Sequence, residues 1–361
     1  MKIWVIYRGP LERSRLSYLL QAASAAHGRV NFVWIHPGIL SEARKEAFNS
    51  FISQQPVETH HVLVAKISAI WTTRSALRRM ISQPVDILCC IGFSALWFGG
   101  AVKYRKLVWC VNGVPEEKEM ANGRPRIFSW LSWAACRLVA RPDLIVVVSG
   151  GMKSLVEHKM PGIAVEVAPT CVDIATFRRA EVVPRRYFMY LGTGASWQAL
   201  DLLSKLWKEI HVADPSILFR VISRDPRTKV LGHGIPADQI EFVGSDNFDK
   251  VASWLNEGEV GFLIRRDTLV NRVSFPTKLA EYLAAGAWVV SSDFEWDIKI
   301  YVEKYRCGLL VKDVDASAAS SILEFRTHLN KEEMAGRVKA CADALDKAVW
   351  KDRLRDQLRR L

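Results

Sequence analysis

The sequence predicts an α/β protein made of two doubly wound, Rossmann-like domains, each built on a parallel sheet. Short apolar strands alternate with helical patterns along nearly the whole chain, as right-handed crossovers between parallel strands require. The alternation breaks near residue 180, at the charged stretch R-R-A-E-V-V-P-R-R, and 361 residues suffice for two ordinary domains. The expected division is 1–180, 181–348 and a basic amphipathic helix over 349–361.

Residues 3–7 are the first strand, too short an apolar run for a signal peptide, and lead into a loop with Arg8 and Gly9. A helix over 14–26 and a strand over 30–35 follow. Further strands are expected at 61–65, 87–91, 107–111 and 144–148. Ligands of such sheets bind beyond the carboxyl ends of the strands. That rule selects three loops: Arg8 and Gly9, the glycine-rich stretch containing Gly92 and Ser94, and N-G-V-P-E-E-K-E, with Asn112, Glu116 and Glu117. Pro115-Glu116-Glu117 also reads as an ordinary helix start, where the dipole favours acids. Residues 124–141 form a helix with arginines at both ends and Phe128, Trp130 and Trp133 between them. Such a helix can lie in a membrane interface. Its thin polar face favours burial between the sheet and the strand at Leu144.

In the second half, the strand at 187–191 runs into Gly192, Thr193 and Gly194, where glycine lets backbone approach a phosphate. G-x-G alone is shared with NAD enzymes. A dehydrogenase would add a third glycine and an acid closing the second strand. Here Trp197 follows the glycines, and the strand at 217–222 ends in S-R-D-P with Arg224. The strand at 260–264 ends in R-R-D-T-L-V-N-R, supplying Arg265, Arg266 and Arg272, and arginine there can hold a diphosphate bidentately. Alternation sends Arg265 and Arg266 to opposite sides, so one of them faces the ligand. Gly244, after another strand, is expected at a base pocket.

Ser274, Phe275, Pro276 and Thr277 then lead into a helix with Lys278 in its first turn and Glu281 one turn further on. Gly286 stops that helix before a strand at 288–290. A helix N-terminus with a lysine beside it is an anion site. Glu281 is placed to accept hydrogen bonds from ribose hydroxyls. Phosphate and sugar together indicate a nucleotide.

The net charge of +12 suits anionic partners: nucleotide diphosphates, nucleic acid or an acidic membrane face. No aromatic-basic recognition motif accompanies it, so nucleic acid is not expected. Seven scattered cysteines without a C-x-x-C pair argue against a zinc site or disulfide framework and for a reducing cytoplasm. No apolar run approaches the ~20 residues needed to cross a bilayer.

The segment S-F-P-T-K-L-A-E-Y-L-A-A-G resembles the donor site of family 4 glycosyltransferases, which have the GT-B fold and use nucleotide sugars. Polysaccharide and lipopolysaccharide enzymes of bacteria are the most similar type. Pro169, Val172, Asp173 and Phe177 resemble the segment that ends the first GT-B domain, and G-L-L-V after Cys307 a later strand. The resemblance implies an acceptor domain and a donor domain facing each other across a cleft, with the last helix crossing back to the first. It implies retaining transfer, without a metal, from a UDP- or GDP-linked sugar to a cell-surface glycan or lipid-linked precursor. Such an enzyme is expected in the cytoplasm or peripherally on the inner membrane. Lys278, Glu116 and Asn112 become candidate catalytic residues, and Arg8, Gly9, Gly92, Ser94 and Glu117 candidate acceptor contacts. Three positions depart from the family pattern. Val273 replaces the first glutamate of Glu-x7-Glu, Asn112 stands where a histidine often precedes the glycine, and the first donor-domain turn lacks its Arg and Lys. These departures keep open an alternative: a catalytically silent GT-B protein that binds nucleotide sugar or glycan.

Overall fold

Strands such as Leu144–Val147 are apolar along their whole length because helices cover both faces of a parallel sheet. The computed structural model describes residues 2–7, 13–28, 30–36, 53, 55, 57–63, 70–117, 123, 125–177, 184–245 and 247–361. Among these, β1 (Ile3–Tyr7), β2 (Val30–His36), β3 (Val57–Leu63), β4 (Val85–Ile91), β5 (Tyr104–Val111), β6 (Leu144–Val147) and β7 (Ala164–Val167) form one parallel sheet. Its strand order is β3-β2-β1-β4-β5-β6-β7. A second parallel sheet runs β10-β9-β8-β11-β12-β13. Its strands are β8 (Tyr187–Leu191), β9 (Leu218–Ile222), β10 (Ile240–Val243), β11 (Gly258–Leu263), β12 (Trp288–Ser292) and β13 (Gly308–Val311). In the second sheet the winding reverses between β8 and β11. That reversal point is where a doubly wound sheet opens a crevice for ligand.

The core of the second sheet is aromatic: Phe188, Phe219, Phe262 and Trp207 pack edge-on or tilted against one another, all buried. In the first sheet Phe93, Trp109 and Trp133 form a comparable cluster. None of the seven cysteines forms a disulfide, and all are buried. Among the described residues, no helix is long and apolar enough to cross a membrane.

The chain divides into residues 1–169 with 348–361, and residues 170–347. The boundary therefore lies ahead of the one expected near 180. The segment after Pro169 is bound into the second unit: Thr170 Oγ1 donates to the Phe275 carbonyl at 2.5 Å, and Asn256 Nδ2 donates to the Phe177 carbonyl at 2.8 Å. The charged stretch that suggested 180 lies mostly outside the described residues. The last helix, Lys347–Arg359, belongs from Ala348 onward to the first unit. There Leu354 and Leu358 are buried beside Val5, Leu19 and Val108, and Arg359 donates to the Ala25 carbonyl at 3.0 Å.

Two further expectations need correction. The third strand begins four residues before the expected 61, because Val57–Leu63 pairs along the whole of β2; the expectation followed only its apolar end. The helix expected over 124–141 spans Ile127–Val139, and burial accounts for only one of its faces. Ser129, Trp133 and Cys136 are buried, whereas Ile127, Phe128, Trp130, Leu131 and Leu138 are exposed.

Candidate functional site

The carboxyl ends of β8 and β11 and the start of the helix Thr277–Ala284 meet in the second unit. Pro276, at φ −67°, precedes the first helical residue, and Gly286 ends the helix at φ +82°, a conformation that favours glycine. Arg185 closes that end by donating to the Ala285 carbonyl at 2.7 Å. At the other end the Leu279 N–H is bonded to the Pro276 carbonyl at 3.2 Å, while the Thr277 and Lys278 N–H groups precede the first carbonyl that the helix could offer them. Tyr282, fully buried, sits face-on over Gly261 of β11, where a Cβ would collide with its ring. Its hydroxyl accepts from the Leu191 N–H at 2.7 Å, which ties the helix to the end of β8.

The glycine turn lies against Lys278. Gly192 sits at φ +147°, and a Cβ there would strike Lys278 Cε and Nζ. The Lys278 ammonium stands 5.7 Å from the centre of the Tyr190 ring, and the Tyr190 hydroxyl donates to the Thr193 carbonyl at 2.7 Å. Asp225 holds the far side of the turn, accepting from the Gly194 N–H at 2.9 Å. Paired with Arg227 and bonded to Gly194, the Asp225 carboxyl lies well below the usual carboxylate range.

Of the three arginines, only Arg265 turns inward. It is buried, and its guanidinium donates to the Trp197 carbonyl and to Asn271 Oδ1, each at 3.2 Å. Burial pushes it down to about 10, so it stays cationic at neutral pH, with Tyr190 and Tyr282 opposing the shift. Arg266 is spent on an exposed ion pair with Asp201, and Arg272 on one with Asp267 at 2.7 Å.

Lys278 and Glu281 are half-buried, in partial contact with solvent. Desolvation lowers Lys278 from 10.5 to about 7; the like charge of Arg265 adds to this, and Glu281 opposes it. Desolvation likewise raises Glu281 from 4.5 to about 7, against the pull of Lys278. Two cations thus lie near a helix start, and Arg265 makes the Lys278 ammonium less comfortable. Such a site gains most from an anion.

A family model described as "Glycosyl transferases group 1" matches residues 185–325, the part of the chain that contains this arrangement. Solved structures align over the whole chain. HepE from Anabaena, in complex with UDP, superposes at TM-score 0.74 with 13% identity, covering 100% of both chains. Sucrose-phosphate synthase from Thermosynechococcus elongatus gives 0.71 and 12%, covering 100% of this chain and 98% of that one. An E. coli trehalose-6-phosphate structure bound with UDP-2-fluoro glucose gives 0.70 and 12%, covering 100% and 99%. The fold is GT-B. Residues 185–325 are the part of the chain similar to the group 1 glycosyl transferases. No curated protein sequence matches the chain.

Within this GT-B frame the candidate donor residues gather in the second unit. Gly192, Thr193, Gly194, Arg265, Lys278 and Glu281 are linked as described. Arg224 and Gly244 sit together one and two strands away, where a Cβ on Gly244 would strike the Ser223 carbonyl. Ser274 Oγ donates to the Asn271 carbonyl at 3.0 Å, and Phe275 is buried edge-on to Tyr301, so both shape the loop ahead of Thr277. Val273, where the family pattern has its first glutamate, is a core residue. Arg266 stands apart from the cluster.

In the first unit, Gly92 takes φ +83° at the start of the helix Phe93–Gly99, which also holds half-buried Ser94. Glu116 Oε1 accepts from Trp133 Nε1 at 3.1 Å, and its Oε2 is buried without a partner. Glu117 Oε1 accepts from the Val114 N–H at 3.3 Å, closing its own turn, as the helix-start reading expects. Asn112 is half-buried at the end of β5. Arg8 and Gly9 lie outside the described residues. Among the described residues no cluster of three or more His, Cys, Asp or Glu could hold a metal.

Three supporting residues went unnoticed in the sequence. Asp225 was legible, since Asp-Pro is a helix-start signal and Asp225 caps Pro226–Gly232. Tyr282 lay inside the donor motif but looked like core. Asn271, fully buried between Arg265, Trp197 and Arg266, left no local signal.

Proposed function

We propose that the protein transfers a sugar from a nucleotide-diphosphate sugar to a bacterial cell-surface glycan or its lipid-linked precursor, with retention of anomeric configuration. The observation that carries this reading is the placement of Lys278 and Arg265 near the first turn of Thr277–Ala284, beside the Gly192–Gly194 turn. There the diphosphate meets two cations and the Thr277 and Lys278 N–H groups. Glu281, one turn on, accepts from ribose hydroxyls. In this reading the charge growing on the leaving diphosphate is met by Lys278, Arg265 and the helix rather than by a metal. The UDP and UDP-sugar bound in the similar structures favour uridine as the base.

The test is calorimetric titration of UDP and GDP into the full chain. Losing a charge-assisted hydrogen bond costs roughly 1.5–3 kcal/mol, or about ten- to a hundredfold in affinity. Lys278→Ala and Glu281→Ala should each lose that much. Arg266→Ala, which removes only an exposed ion pair, should bind as the parent does. Unchanged affinity in the first two variants would sink the assignment.

A further inference from the structure

The helix Ile127–Val139 is apolar on both sides, and only one side is covered. Ile127, Leu131 and Leu138 are 55%, 48% and 87% exposed. At helical spacing they fall within about 40° of one another, forming a single outward ridge. Phe128 and Trp130 flank it, at 51% and 62% exposure. The helices Phe93–Gly99 and Ile70–Met80 follow in the same packed layer, and Trp71 on the latter is 80% exposed. None of the three helices contains an acidic residue. On these helices and at their ends the exposed charges are Arg78, Arg79, Arg126, Arg137 and Arg141, of which Arg137 donates to the Lys159 carbonyl. An apolar ridge on helices that carry arginines and no acids is an interaction surface rather than a water-facing one.

We propose that this face seats the protein on an anionic phospholipid bilayer, with the ridge at the boundary of headgroups and acyl chains and the arginines on lipid phosphates. Thirteen residues make a helix about 20 Å long, shorter than the ~30 Å hydrocarbon core, so it lies in the plane of the interface. A second copy of the chain fits less well, because a two-fold contact through this ridge would bring the arginines together. The buried side of the same helix carries Trp133, whose indole holds Glu116. Seating the ridge therefore holds the Glu116 loop about 10 Å, one helix diameter, from the membrane surface. This deepens the reading of a lipid-linked acceptor, and its test needs no turnover.

The full chain is co-sedimented with phosphatidylcholine vesicles and with vesicles containing phosphatidylglycerol, at low and high salt. The expected result is strong recovery on the anionic vesicles, weakening with salt as charges are screened. The double variant Leu131→Asp/Leu138→Asp changes only exposed side chains and should lose partition by at least about tenfold. Arg126→Glu/Arg141→Glu should lose it while leaving the apolar ridge intact. Both should keep the parent's thermal midpoint and its affinity for UDP, which separates failure of this face from failure of the donor site. The proposal is overturned by equal recovery on the two vesicle types, by none on either, or by undiminished partition of the aspartate variant. It is equally overturned by a dimer in sedimentation velocity that the aspartate variant dissolves, which would assign the ridge to a second copy.

Discussion

Lys278 and Glu281 have been moved toward each other on the pH scale, one down and one up, both to about 7. Binding a diphosphate should undo both shifts. Phosphate oxygens favour the ammonium, so the Lys278 value rises in the complex and a proton is taken up above pH 7. A ribose hydroxyl donating to Glu281 favours the carboxylate, so its value falls and a proton is released below pH 7. The affinity that depends on the ammonium is thus complete below about 7 and declines as pH rises toward the complex's own value. Calorimetry with a nucleotide sugar, whose diester phosphates do not titrate in this range, should show uptake near pH 8 and release near pH 6. Buffers of different ionisation enthalpy make both visible. Lys278→Ala should abolish the uptake and Glu281→Gln the release; an uptake that survives Lys278→Ala would place the titrating group elsewhere. The residue types and spacing of this pair were legible in the sequence. The choice among Arg265, Arg266 and Arg272 was not, because it is made by partners. Asp201 draws off Arg266 from 65 positions away, and buried Asn271 receives Arg265.

At the scale of elements, the site depends on a chain of contacts running from β11 through the helix to the glycine turn. Gly261 leaves room for the Tyr282 ring, Tyr282 accepts from Leu191, and Leu191 delivers Gly192 to Lys278. Tyr282→Phe keeps the ring and leaves the Leu191 N–H without its partner, at a cost of about 1–3 kcal/mol. Gly261→Ala forces a Cβ into a ring that cannot retreat, and overpacking of this kind costs roughly 1–3 kcal/mol. Both variants should lower the thermal midpoint, and both should weaken UDP binding although neither residue touches the proposed ligand. Lost stability with undiminished UDP affinity would show that the turn does not depend on the helix. The strands expected at 187–191, 217–222, 260–264 and 288–290 were readable to within two residues, since each is an apolar run between glycine, proline or charged breaks. The helix Ile127–Val139 was misjudged for the opposite reason. Its pattern has no polar stripe, and a helix apolar all round reads as buried, whereas the fold covers only the Trp133 side.

For the molecule as a whole, the stereochemical outcome turns on which side of the transferred sugar the acceptor attacks. In a retaining transfer the departing phosphate can itself take the acceptor's proton on the same face, and the protein supplies cations and N–H groups to the diphosphate. An inverting transfer needs a general base, and Glu116 is the candidate. Its geometry argues against that role, since Oε1 is engaged by the Trp133 indole and Oε2 is buried rather than presented to solvent. A carboxylate so placed fits a support for its loop. Glu116→Gln preserves an acceptor for Trp133, so the fold should stand. Turnover should then fall only modestly, through acceptor binding, while Lys278→Ala should lose it heavily. A general base is worth about 10²–10⁴-fold. The product's anomeric configuration, read by NMR, should match that of the donor. A loss of that size in Glu116→Gln, together with an inverted product, would overturn retention and make Glu116 the base.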